Sequence, residues 1–350
     1  MNRSIQLVGL DIGYGFTKAF DGATPTILRS VVLDGGRPQN PQPTTDILGP
    51  EGRCVIKDDW TYYIGDLAES LESTDQEALT PDRLYTEVGP ILALAALAAY
   101  SAGETPLQVV AGLPFSHFRR LKDAVVDRLL GYHKIFLTDS EGHRQTRNIH
   151  IRKLHPVPNP LGTFAGIVLD ADGRLQQRHY QGRKTALVDI GYRTTNIMVM
   201  EDMRLVQRAS ATIAIGIQRS FALLARRLQQ TTGITPTFVQ VYQGIRHGTL
   251  HIEGQAYDTA ALRGEVFERL ALQLKDAILH VLESAWDLDE LLLTGGATRE
   301  LADYLAPMMP GEVTLVENEL DSRLNNVQGQ LRLARYMWGA SGLCENRIWP

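Results

Sequence analysis

Asp11, Gly13, Gly15 and Lys18 stand close together in the stretch LVGLDIGYGFTKAF (Leu7 to Phe20). An apolar run reaches Asp11, a Gly-Tyr-Gly turn follows, and Phe16 to Phe20 reads as a second strand, so the spacing predicts a hairpin with a polar tip. Glycines at the tip let backbone N–H groups come near a ligand. One acid, one cation and several N–H donors at a tight turn suit a nucleoside triphosphate with Mg2+, although an ordinary hairpin has the same local signature.

The stretch ALVDIGYRTTNIMVM (Ala186 to Met200) makes the difference. With Asp11 set on Asp189, the two segments agree at Asp, Ile, Gly and Tyr, and again at Thr17 with Thr195. This is a long-period internal repeat. Two equivalent hairpins, each with Asp-x-Gly at its tip, suit a phosphate chain held from two sides. A third element is Thr294-Gly295-Gly296-Ala297, between a short apolar strand at Leu291 to Leu293 and a helix at Arg299 to Leu305. A strand, a Gly-Gly turn and a helix start suit a base or ribose, because glycines admit close approach and a helix start offers N–H groups.

The elements that must position these residues read as alternating strands and helices. The chain has 350 residues, 44% hydrophobic and 21% charged, the profile of an ordinary globular protein with more than one core. A formal net charge of -5 argues against direct nucleic-acid binding across the whole chain. Two cysteines, Cys54 and Cys344, without CxxC spacing, make neither a metal site nor a disulfide framework, which favours a reducing cytoplasm. The opening MNRSIQLVGL is too short and polar to read as a signal sequence, and the run Ile91 to Tyr100 is too short to span a bilayer. Leu33 to Arg53, rich in Gly and Pro, reads as an exposed excursion, and the tail Cys344 to Pro350 as disordered. Thr80 and Pro81 open a helix, with the Ala- and Leu-rich Val88 to Ala102 as a packed core helix. His155 to Gly162 (HPVPNPLG) breaks regular structure and reads as a hinge, a domain crossing or a surface linker. Helices are expected from Gly216-Ile217 to Arg227, from Tyr257 to Trp286, and after Asn325 to Gly329.

The order of Asp-x-Gly hairpin, proline-rich crossing, second Asp-x-Gly hairpin and Gly-Gly turn resembles the actin-like ATPase superfamily of actin, bacterial actins, sugar kinases and chaperone ATPase domains. DIGYGFTK and DIGYRTTN, the Gly112-Leu113-Pro114 turn, the crossing Pro158 to Thr163 and Asn325 to Gly329 resemble the ParM and Alp type in particular. The resemblance implies an α/β fold of duplicated, ribonuclease H-like domains, each a mixed five-stranded sheet with flanking helices, with ATP in the cleft between them. It places domain I at residues 1–160 with 330–350, including a small subdomain at about 33–87, and domain II at 161–329, including one at about 217–264. Asp11, Gly13, Tyr14, Gly15, Phe16 and Lys18 resemble the first phosphate loop. Asp189, Gly191, Tyr192, Arg193, Thr194 and Thr195 resemble the second, and Gly295, Gly296 and Ala297 the adenosine loop.

On that resemblance Asp11 and Asp189 hold Mg2+ through water, Lys18 neutralises phosphate, and the Thr194 or Thr195 hydroxyl assists. Asp189 and Asn159 polarise and orient the attacking water, and Gly216 and Glu265 flank the base and ribose. Asn159 replaces a usual Gln or Glu and is one methylene shorter, so hydrolysis is expected to be slower. Asn196 replaces a common Asp and removes a charge near the metal. The implied activity is a cytoplasmic ATPase that assembles into filaments for plasmid or DNA segregation, with a DNA-binding adaptor as partner. A non-polymerising, chaperone-like adaptor and a small-molecule kinase are the rival readings.

Overall fold

The structure is a computed structural model that describes residues 5–37, 53–71, 80–101, 105–138, 144–252, 254–285 and 287–339. The proline-rich part of the Leu33 to Arg53 excursion, Ala102, Trp286 and the tail from Cys344 lie outside the described residues. The chain divides into two compact units, Met1–His179 with Leu324–Pro350, and Tyr180–Arg323. The divisions fall at 179/180 and 323/324, where the resemblance implied 160/161 and 329/330.

The first unit is built on β1 (Gln6–Ile12), β2 (Phe16–Phe20), β3 (Thr26–Arg29), β4 (Val32–Gly36), β5 (Arg53–Lys57), β6 (Trp60–Ile64), β7 (Leu107–Leu113), β8 (Gly131–Thr138) and β9 (Arg144–Pro158). They form one sheet in the order β3-β2-β1-β7-β9-β8-β5-β6-β4. This is nine strands rather than the five expected. The added pairing comes from β9, which is long enough to serve two partners. Its first half, Arg144 to Ile151, pairs antiparallel with β8, and its second half, Ile151 to Pro158, pairs parallel with β7. β8 in turn pairs with β5, which carries β6 and β4. Leu33 to Gly36, the start of the expected exposed excursion, are therefore strand, within β4.

The helices of this unit are α1 (Asp66–Leu71), α2 (Pro81–Arg83), α3 (Gly89–Leu97), α4 (Phe115–Leu129), α5 (Asn159–Val168) and, from the end of the chain, a last helix at Asn325–Trp338. Thr80 caps α2 by accepting from Arg83 N, with Pro81 in the first turn, and a π-helical turn at Leu84–Val88 joins it to α3. Every residue of α3 is buried, as expected of a helix that is apolar all round. His155 to Gly162 is not a linker: β9 runs to Pro158 and α5 starts at Asn159. Past Ile151, no strand among the described residues pairs with β9 on the β8 side, so Pro156 and Pro158 break no ladder hydrogen bond described there. Pro160 sits in the first turn of α5, where a missing N–H is harmless.

The second unit contains β10 (Lys184–Ile190), β11 (Thr195–Glu201), β12 (Arg204–Leu205), β13 (Ala211–Ile213), β14 (Thr249–Ile252), β15 (Gln255–Asp258), β16 (Glu290–Thr294) and β17 (Val313–Leu315). Its main sheet has the order β12-β11-β10-β16-β17, with β13 added on β11. The helices are α6 (Gln218–Thr232), α7 (Phe238–His247), α8 (Ala260–Leu282) and α9 (Thr298–Leu305), so the last helix, Asn325–Trp338, is α10. Ile217 at the cap of α6, Phe221, Leu224 and Leu228 of α6, and Val266, Leu270, Leu274 and Ile278 of α8 pack into the core of this unit. α8 starts later than expected because Tyr257 belongs to β15, and Asn325 to Gly329 form the start of α10 rather than its approach.

The sequence repeat is also a repeat of topology. In each sheet a first strand (β1, β10) pairs antiparallel with the next one (β2, β11) and parallel with a later strand (β7, β16). Asp11 and Asp189 both stand at the carboxyl end of the central parallel strand, the end at which open α/β sheets bind ligands.

Candidate functional site

In the first unit the turn between β1 and β2 is closed by Gly13 N–H donating to the Phe16 carbonyl at 3.2 Å. Asp11 faces Lys18 across the hairpin in register. The two form an ion pair, Nζ to Oδ2 2.5 Å, with side chains 4% and 12% exposed for Asp11 and Lys18. The other carboxylate oxygen, Asp11 Oδ1, is buried and has no partner. Lys18 thus spends one of three donors on Asp11 and retains capacity for an anion. The turn is held from beneath by Tyr85, whose hydroxyl donates to the Ile12 carbonyl at 2.8 Å. Burial, with Asp11 and Tyr14 adding to it, pushes the Tyr85 phenol well above its ordinary range, so it stays a neutral donor. Replacing Tyr85 with Phe leaves that carbonyl unmet. The expected cost is ~1–2 kcal/mol of stability, to be read from the urea midpoint at an unchanged m-value.

In the second unit the equivalent turn is closed in the same way, Gly191 N–H to the Thr194 carbonyl at 3.0 Å. Asp189 is 5% exposed. Opposite it in register stands Asn196, whose Oδ1 accepts from the Thr212 hydroxyl at 2.8 Å, so its amide is engaged on the sheet. The Gly-Gly segment packs directly on this strand end. Ala297 N–H donates to the Ile190 carbonyl at 3.2 Å, and Gly295 lies against Asp189 so closely that a Cβ there would overlap Asp189 Oδ1.

Several expected contacts fall elsewhere. Thr195 is fully buried, and its hydroxyl donates to the Ile215 carbonyl at 2.8 Å, so it is turned away from the tip; Thr17 is its buried counterpart, bonded to Ser30 Oγ at 2.9 Å. Thr194 is half-buried at the tip. The side chain of Tyr14 is buried, and the Tyr192 ring packs edge-on against Phe221 and Phe238, so these tyrosines bring only their backbone to the turns. Phe16, Gly15 and Arg193 lie at the tips. Gly216 sits against the Tyr192 carbonyl, and the start of α6 holds the turn through Ile217 N–H to Gly191 O (3.1 Å) and Gln218 N–H to Tyr192 O (2.8 Å). Glu265 pairs with Arg227 at 3.0 Å on the exposed side of α8.

The structure therefore brings Asp11, Lys18 and the Gly13–Phe16 turn together in one unit, and Asp189, the Gly191–Thr194 turn, Gly216 and Gly295 to Ala297 together in the other. Asn159, the first residue of α5, joins the first group through Gly112, which is paired in register with Asp11. Two residues escaped the sequence reading. Arg323 lies over Gly296, where a Cβ would come within 2.7 Å of its Cγ. Asp321 clamps it through Nε at 3.0 Å and Nη2 at 2.6 Å; burial works against its charge, and Asp321 together with Tyr242 and Glu300 more than offsets that. Gln330 of α10 is fully buried beside Asn159. Neither follows a periodicity or motif that marks it; only the spacing Asp-x-Arg at 321–323 hints at a clamp.

Among the described residues no helix is long and apolar enough to cross a membrane. Among them, too, no three His, Cys, Asp or Glu side chains converge as a metal cage. The orphaned Asp11 Oδ1 is nonetheless what a hydrated Mg2+ asks for, since that ion keeps several waters and needs few direct protein ligands.

No curated protein sequence matches the chain. Residues 9–162 match the family model for the N-terminal domain of actin-like proteins, and residues 187–307 match that for the C-terminal domain of archaeal, MreB-like actin homologues. Among solved structures, the chain is similar to the archaeal actin homologue Ta0583 in complex with ADP, with a TM-score of 0.73 and 21% identity over 94% of this chain and 98% of that one. It is similar to a subunit of a 15-stranded ParM filament from Clostridium botulinum, with a TM-score of 0.71 and 18% identity over 94% and 98% of the two chains. It also resembles Bacillus thuringiensis ParM with ATP, with a TM-score of 0.68 and 14% identity over 94% and 97%. With two family models in the expected order and the paired hairpins at equivalent strand ends, the chain belongs to the actin-like proteins.

Proposed function

We propose that this protein binds and hydrolyses ATP with Mg2+ and assembles into filaments whose stability the nucleotide controls. The observation that carries the reading is the repeated Asp-x-Gly turn at the carboxyl end of two equivalent strands, one of them with a buried, orphaned carboxylate oxygen. Relatives of similar fold bound to ADP and ATP, and one in a filament, support it. In phosphoryl transfer the protein's contribution is positioning and charge neutralisation. Backbone N–H groups at the two tips, with the Thr194 hydroxyl, bind phosphate oxygens. Lys18 contributes a point charge while anchored by Asp11. Asp11 and Asp189 take waters of the cation's shell, and Mg2+, when bound, neutralises charge on the phosphates. Asp189 accepts the proton of the attacking water as the bond to the leaving ADP breaks, and the Asn159 amide orients that water. Gly295 to Ala297, with Arg323 behind them, form the wall for the nucleoside.

The favoured cellular role is cytoplasmic movement of plasmid or other DNA, reached through a DNA-binding adaptor rather than by direct contact, in keeping with the net charge of -5. Light scattering after addition of ATP and Mg2+ to the purified protein tests the assembly. A rise that requires ATP is expected. A flat trace with steady phosphate release would point to a non-polymerising ATPase, and release that depends on an added sugar to a kinase.

A further inference from the structure

Four elements of the first unit meet at Gly112. It is the next-to-last residue of β7, beside Asp11 of β1, and a Cβ at this position would overlap both Asn159 Oδ1 from α5 and Gln330 Nε2 from α10. Asn159 and Gln330 are 7% and 0% exposed. Asn159 Oδ1 has no hydrogen-bond partner, and neither Gln330 Nε2 nor Gln330 Oε1 has one. Burying an amide without a partner is costly, and a core position in this place is served more cheaply by Leu or Met. A carboxamide oxygen and a carboxamide N–H against the same glycine are the two halves of one hydrogen bond.

We propose that Gln330 is a positioning residue for Asn159: its Nε2–H engages Asn159 Oδ1 over Gly112 and fixes the orientation of the Asn159 amide. The inference rests on the reading of Asn159 as the residue that orients the attacking water. It explains how a side chain shorter than Gln can serve that role, since a short side chain with a fixed rotamer loses less to misplacement than a free one. The frame around the pair is rigid. The Asn326 Oδ1 of α10 accepts from Thr163 N (3.2 Å) and from the Thr163 hydroxyl (2.8 Å) of α5, and Arg332 of α10 donates to the Leu169 carbonyl at 2.7 Å. Gly162 and Gly329 stand at the crossing, where a Cβ on Gly329 would overlap the Gly162 carbonyl. With α5 and α10 tied on both sides of the pair, Gln330 cannot move away from Asn159 without moving the helix.

Gln330→Met keeps the length and removes the donor. Measured on the full chain as ATP turnover, kcat is expected to fall about tenfold while KM changes less than about twofold, with the thermal midpoint little changed because the acceptor left unmet on Asn159 is offset by removing the unmet Gln330 Oε1. Asn159→Ala run in parallel is expected to be at least as slow, and the double variant no slower than Asn159→Ala alone, as for two groups acting as one. Gln330→Glu supplies a readout that a packing role would not move. A protonated carboxyl donates and an ionised one does not, so its turnover is expected to fall with rising pH more steeply than that of the unaltered protein. This profile decides the matter if the Met variant does not fold. Wild-type turnover in Gln330→Met beside a slow Asn159→Ala overturns the inference and leaves the ATPase reading standing, as does full additivity in the double variant. Wild-type turnover in Asn159→Ala removes the water-orienting role and this inference with it.

Discussion

Asp189→Ala is expected to lower the rate of phosphate release by ~10^3-fold or more, about 4 kcal/mol of barrier, with cooperative unfolding retained. The carboxylate is almost wholly buried, at 5% exposure, at the end of β10. The closing bond of the turn runs between Gly191 and Thr194, and the turn is held by the backbone of Ile217 and Gln218. Removing the side chain therefore deletes a charge and a proton acceptor and leaves these backbone bonds in place. ATP affinity is expected to fall far less than kcat, because the backbone donors at both turns remain. The decisive measurement is single-turnover phosphate release beside nucleotide binding. Unchanged turnover removes Asp189 from the proposed chemistry, and loss of binding and turnover by the same factor makes it a binding residue only.

Gly295→Ala has the second large effect, for a steric reason. Gly295 has φ +102°, which side chains of L residues rarely adopt, and an added Cβ would overlap Asp189 Oδ1 and crowd the Ile190 backbone. The backbone conformation costs of order 1–3 kcal/mol for a non-glycine residue, and the overlap adds to it. We expect a loss of ~2–4 kcal/mol in unfolding free energy together with loss of turnover, since the carboxylate is what yields first. Gly233→Ala is the control. Gly233 caps α6 with φ +77° and has open space around it, so the same substitution there carries a conformational cost and no clash. It is expected to reduce stability and leave kcat alone. If Gly295→Ala turns over normally, Asp189 is not held by that glycine and the wall formed by Gly295 to Ala297 loses its assigned role.

Much of the site could be read from the chain because its parts are local. A hairpin turn is decided by a few consecutive residues, and DIGYGFTK and DIGYRTTN carry the same glycine and tyrosine at the same offset from the same aspartate. The strand ends at Asp11 and Asp189, the cap at Thr80 and the apolar face of α6 are all matters of neighbouring residues, and the structure has them at the expected positions. The correspondence of the two hairpins also predicts their equal place in two sheets, since a repeated sequence repeats its pairing.

Other features belong to the tertiary structure alone. That β9 would turn from β8 to β7, and so extend the first sheet to nine strands, depends on partners far apart in sequence. The prolines of His155 to Gly162 read as a break because composition says nothing of which strand edge is empty. The direction of the Thr195 hydroxyl is set by the Ile215 carbonyl, twenty residues on, and Arg323 and Gln330 reach the two sites from positions on either side of Asn325 to Gly329. By itself the sequence determined the two turns and the acids they carry, because short-range sterics and hydrogen bonding suffice for a hairpin. Only packing decided which side chains stand behind those acids, since a buried polar group is defined by neighbours that the chain brings in from a distance.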